Sequence, residues 1–188
     1  MLKKDLASLQ EEMQQCQKCE LFKTRKNIVF GEGISEAQVL FVGEAPGQTE
    51  DELGLPFVGR SGQLLNKMLA AVGIYRTQNM FITNIVKCRP PNNADPTQEQ
   101  QNACLKYLER QIEIISPKVI VCVGRIAASS LIDPRFKMTK DHGKITKKCG
   151  KYLMGVFHPA ALLRSPQNKE VAFKDFLTLK NFIEEGLL

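Results

Sequence analysis

Three short apolar runs constrain this chain more than any other feature: Ala37-Gln-Val-Leu-Phe-Val42, Met80-Phe-Ile-Thr-Asn-Ile-Val86 and Lys118-Val-Ile-Val-Cys-Val-Gly124. Each is too short for a buried helix and rich in β-branched residues, which is the pattern of a strand covered on both faces. Helical patterns alternate with them. Ser61 to Val72 puts Leu64, Leu65, Met68, Leu69 and Val72 on one face. Thr97-Gln-Glu-Gln100 fits a capping box opening a helix to Ile115. A small-residue helix is expected around Ala127, and an amphipathic helix from Val171 to Glu185. Lys3 to Gln17 spaces Leu6, Leu9 and Met13 as a short helix. Ile28 to Gly33 reads as a short strand or loop, and Ile145 to Val156, broken at Cys149-Gly150, as a hairpin or two edge strands. Such alternation predicts an α/β fold with a sheet between helical layers and a site at the strand ends.

At 188 residues the chain is expected to be a single domain; it has no internal repeat and no linker. Its 43% hydrophobic and 24% charged residues exclude disordered and fibrous classes. No apolar run reaches the roughly 18 residues of a membrane span. The N-terminus, MLKKDLASLQEEMQQ, has no apolar core of a signal peptide, so the expected compartment is the cytosol. A net charge of +6 suits a polyanionic partner, and equally a merely soluble basic protein.

Four groups of residues carry chemistry. Cys16 and Cys19 form a C-x-x-C, Cys88 ends the second strand, and Cys104 lies in the following helix. Four thiolates can hold zinc or an iron–sulfur cluster, whereas Cys122 between valines reads as core. The loop Gly43-Glu-Ala-Pro-Gly-Gln-Thr-Glu-Asp51 and the segment Gly54-Leu-Pro-Phe-Val-Gly59 are neither a Walker A loop nor a dinucleotide fingerprint. Phe57 is either a base-stacking face or a loop anchor. Asn84, two-thirds through an apolar strand, is costly unless its amide finds a partner. One amide offers a donor and an acceptor, which suits O4 and N3–H of uracil and opposes cytosine. A strand-end asparagine capping its own backbone is the alternative. In Phe157-His-Pro-Ala-Ala-Leu-Leu-Arg164, His158 can hydrogen-bond a group where charge develops. Leu162 or Leu163 beside Arg164 can supply an apolar wedge and a phosphate-binding cation.

Together these residues resemble the family 4, iron–sulfur uracil-DNA glycosylases. The matching segments are GEAPG at 43–47, ED at 50–51, G-x-PFVG at 54–59, TNIVKCRPP at 83–91 and HPAALLR at 158–164. The resemblance implies a three-layer α-β-α sandwich around a mostly parallel four-stranded sheet. It also implies a monofunctional enzyme that flips uracil out of single- or double-stranded DNA and leaves an abasic site. Cys16, Cys19, Cys88 and Cys104 would ligate a structural [4Fe–4S] cluster tying the N-terminal helix to the domain. Phe57 would stack on the base, Asn84 would read its edge, Glu50 would sit near C5, and His158 would bond O2. The backbone at Glu44 and Ala45 would bind the base and place water. Ala45 offers a methyl where some sister families carry a carboxylate, which leaves it open whether Glu44 serves as a general base. Leu162, Leu163 and Arg164 would contact DNA. A monomer in the prokaryotic cytosol or nucleoid is the expected setting. The competing reading, a non-catalytic metal module that senses DNA or redox state, would not need Phe57, Asn84 and His158 together.

Overall fold

A computed structural model describes residues 5–185. The helix expected from Lys3 begins at Leu6 in these residues, and Lys3 and Lys4 lie outside them. In chain order the helices are α1 (Leu6–Gln14), α2 (Gln48–Leu53), α3 (Arg60–Ala70), α4 (Gln98–Ile115), α5 (Arg125–Leu131), α6 (Met138–Asp141), α7 (Pro159–Arg164) and α8 (Lys169–Glu184). The strands are β1 (Glu32–Gly33), β2 (Val39–Gly43), β3 (Met80–Asn84), β4 (Val119–Val123), β5 (Ile145–Lys148) and β6 (Lys151–Val156).

The strands form one sheet in the order β1-β3-β2-β4-β6-β5. Its four central strands are parallel, as expected, but the sheet has six strands rather than four. The two-residue β1 and the hairpin strand β5 add antiparallel edges. Both follow from local chemistry: β1 is too short to carry a periodic signal, and β5 is largely exposed, with lysines that blunt a free edge.

Period-two alternation sorts the central strands between two cores. Leu40, Val42, Ile120 and Cys122 face the layer containing α1, α4 and α5. Val39, Phe41, Val119, Val121 and Val123 face the layer built from α3, α7 and α8. Cys122 is core, as read from its valine neighbours. Thr97 caps α4 through the complete reciprocal capping box. The segment after Gly47, read as loop, is instead the short helix α2, which ends at Gly54 in the left-handed conformation. Among the described residues no helix is long and apolar enough to cross a membrane.

Candidate active site

The parallel strands all run toward one edge of the sheet, so the residues that follow them meet there. β2 delivers Glu44 and Ala45, β3 ends on Asn84, β4 leads to Gly124 and Arg125, and β6 leads to Phe157 and His158. Their meeting point is an open cleft of about 650 Å3, also lined by Glu50, Phe57, Asp95 and Arg164. Every residue expected to touch the base therefore lines one cleft.

Asn84 is 2% exposed. Among the described residues nothing hydrogen-bonds its side-chain amide, although its carbonyl accepts a bond from Lys87 Nζ at 2.6 Å. Among the described residues no sealed side-chain polar atom lacks a partner, so the amide without a protein partner is open to the cleft, where a ligand can reach it. The alternative of an asparagine capping its own backbone is not what the side chain does. Gly43, opposite Asn84 in the β2–β3 register, makes the packing possible. A Cβ at Gly43 would overlap both Asn84 Oδ1 and the Phe57 ring. Phe57 is packed in a core cluster, as a loop anchor would be, and it also lines the cleft.

His158 is the N-cap of α7, with Pro159 at the first helical position. Its Nδ1 accepts the Ala160 backbone N–H at 3.2 Å. An accepting Nδ1 assigns the proton to Nε2, which is then the free donor. Burial, and next the Arg164 charge, push the imidazole pKa down to about 4, against a smaller opposing effect of Glu50. The ring is a neutral donor at physiological pH. It lies 6.1 Å from the Phe57 ring, centroid to centroid.

Glu44 is shifted the opposite way. Burial and the neighbouring Asp95 carboxylate raise its pKa to about 7, opposed by Arg125. Asp95 and Arg125 pair at 2.6 Å beside it. Sequence reading missed this pair, although Arg125 follows the end of β4 by two residues, the position that Ala45 holds after β2. Glu50 is buried, and its Oε1 accepts the N–H groups of Val58 at 2.9 Å and Gly59 at 2.7 Å. It braces the loop that carries Phe57 while lining the cleft.

Cys16, Cys19, Cys88 and Cys104 line a second, narrow cavity with Lys18, Arg25 and Lys87, and no carboxylate or imidazole joins them. Among the described residues no set of three or more His, Cys, Asp or Glu side chains is arranged to hold a single metal ion. The donor chemistry fits a group held by thiolates alone, with cations close by to balance its negative charge. Burial raises the Cys88 thiol to about 11, opposed by Arg25, whose Nη1 lies 3.5 Å from the sulfur. Lys87, fully buried, stands between the two sites: it lines this cavity and donates to Thr83 Oγ1 and the Asn84 carbonyl.

In α7, Leu162 is 1% exposed and belongs to the core, which removes it from the expected DNA contacts. Leu163 is 37% exposed and adjoins Arg164 of the cleft wall.

The uracil DNA glycosylase superfamily model matches residues 30–179. A type-4 uracil-DNA glycosylase of Archaeoglobus fulgidus is 46% identical over 179 residues, covering 91% of this chain and 89% of the relative. The chain belongs to the type-4 uracil-DNA glycosylases. A second member of that family, from Thermotoga maritima, is 44% identical over 179 residues and covers 93% of each chain. A type-5 uracil-DNA glycosylase of Pyrobaculum aerophilum is more distant, 28% identical over 146 residues and 69% of this chain. The family's α/β sandwich is the architecture described above.

Proposed function

We propose that this chain hydrolyses the N-glycosidic bond of uracil in DNA and leaves an abasic site. The observation that carries this reading is the Asn84 amide, buried, without a protein partner and open to a cleft shared with Phe57 and His158. A uracil seated against Phe57 satisfies that amide through O4 and N3–H, whereas cytosine presents the reversed pattern and leaves it unpaired. Rejection of cytosine is therefore a polar effect and large, while rejection of thymine rests on steric exclusion of a methyl and is smaller.

The chemistry follows from the two shifted groups. Glu44 takes a proton from water as the water oxygen bonds to C1′ of the sugar. The C1′–N1 bond breaks, and its electron pair spreads into the uracil ring toward O2. The neutral His158 donates Nε2–H to O2 as that charge grows, and the departing uracil anion is later protonated from solvent. A donor aimed at developing charge in a water-poor site supplies much of such a rate enhancement. Arg164 binds phosphate, and Leu163 fills the gap left by the flipped base. Flipping costs a few kcal/mol in a duplex and less in a single strand, so both forms are substrates.

Cys16, Cys19, Cys88 and Cys104 would hold a [4Fe–4S] cluster, which when bound fastens the N-terminal segment to the body of a single domain. A monomer acting in the cytosol completes the reading.

Alkali cleavage of a uracil-containing oligonucleotide tests the activity: scission at the uracil is expected, and an intact strand contradicts the reading. The pH profile tests the roles. With Glu44 near 7, the carboxylate form grows as pH rises, so the single-turnover rate climbs through about pH 7 and then levels. Glu44→Gln is expected to be slow and flat, because His158, neutral down to about 4, adds no step in that range. A profile unchanged by Glu44→Gln contradicts the base role. Leu163→Ala is expected to slow release from U·A duplex several-fold more than from single-stranded DNA, with U·G intermediate. Leu162→Ala, a core truncation, costs about 2–5 kcal/mol of stability and affects the substrates alike. The opposite pattern would exchange the two leucines. Protein purified without oxygen is expected to be brown, with about four irons per chain. Cys122→Ser keeps the colour and Cys88→Ser loses it; a colourless chain with one zinc contradicts the cluster.

A further inference from the structure

Phe57 holds its ring at the cleft with a backbone φ of 52°. A bulky residue stays in that left-handed region only when its surroundings impose it. What imposes it lies mostly outside the cleft. We propose that Arg76, which is not part of the cleft wall, is a positioning residue that fixes the Phe57 ring for stacking on the base. This rests on the stacking role assigned to Phe57 above.

The guanidinium is largely buried, its side chain only 15% exposed. Its Nη1 donates to the Pro56 carbonyl at 2.6 Å and its Nη2 to the Phe57 carbonyl at 2.8 Å. Two further anchors keep the fork in place. Glu32 Oε2 on β1 accepts from Nη1 at 2.6 Å, and Asn66 Oδ1 on α3 accepts from Nε at 3.3 Å and Nη2 at 3.0 Å. From the cleft side, Glu50 Oε1 takes the next two backbone groups, Val58 N–H and Gly59 N–H. Four successive residues, 56 to 59, are thus gripped through their backbones, two by a buried cation and two by a buried carboxylate. Gly62 closes the third side, since a Cβ there would overlap the Phe57 carbonyl and Cα.

This arrangement needs a planar fork with donors diverging in fixed directions. Lysine keeps the charge but cannot reach both carbonyls, Asn66 and Glu32 together. A loosened Phe57 widens the range of base positions, and misplacement of about 1 Å at a reacting centre costs up to ~10² in rate. The affinity for DNA lacking a base is unaffected, because no stacking partner is present.

The test is a double-mutant cycle on the full chain, read by single-turnover excision of uracil from DNA, by inhibition with free uracil, and by affinity for abasic-site DNA. Arg76→Lys is expected to lose roughly 10- to 100-fold in excision rate and a similar factor in free-uracil inhibition. Abasic-site affinity is expected to stay near wild type. In a Phe57→Ala background, Arg76→Lys is expected to change the rate little further. Asn66→Ala, which removes one anchor and leaves the charge, is expected to show the same pattern several-fold more weakly, and it decides the matter if Arg76→Lys does not fold. Equal losses in the wild-type and Phe57→Ala backgrounds, or wild-type rates in the folded variant, overturn the proposal while leaving the excision reading intact. A wild-type chain that excises no uracil overturns both.

Discussion

The parallel pairing of β2 with β3 is the constraint on which the rest of this molecule depends. The ladder continues past the end of the strands: Ile85 N–H reaches the Gly43 carbonyl at 2.9 Å, and Val86 N–H reaches the Glu44 carbonyl at 3.1 Å. Those two bonds set Glu44 beside Asn84, so the two cleft residues proposed to activate water and read the base share one backbone frame. A slip of one residue would turn Val39 and Phe41 to the wrong core and carry Asn84 away from the cleft. The two cores on either side of the sheet therefore enforce the register of the site.

That frame lets burial drive two ionisable groups apart. The cleft raises a carboxyl at Glu44 to about 7 and lowers an imidazole at His158 to about 4. The result is a carboxyl about half ionised at neutral pH and an imidazole that carries no charge, lining one cleft. A neutral donor suits a leaving group that becomes anionic, since its interaction strengthens as the bond breaks. The Asp95–Arg125 pair sits at the rim, where Asp95 pushes Glu44 up and Arg125 limits the rise.

Much of this was legible in the sequence because strand-end chemistry leaves local marks. An asparagine inside an apolar run, a histidine before a proline and a C-x-x-C are each visible without knowing the fold. What stayed hidden depends on contacts distant along the chain or on a register too short to read. Leu162 and Leu163 differ by one position on a six-residue helix, so only packing decides which faces out. The helix α2 was masked by flanking glycines and prolines. Arg76 gave no signal, because it acts on backbone carbonyls 19 and 20 residues earlier in the chain. The edge strands were foreseen as pieces, but their joining to one six-stranded sheet required the pairing itself.

The central claim is that the unpaired Asn84 amide is completed by the substrate in the transition state. Single-turnover excision by wild type and Asn84→Ala, measured beside the affinity of each for abasic-site DNA, tests it most directly. The account predicts a rate loss of ~10²–10³ with abasic-site affinity little changed. Wild-type excision by Asn84→Ala, or a loss of abasic-site affinity in step with the rate, would contradict it.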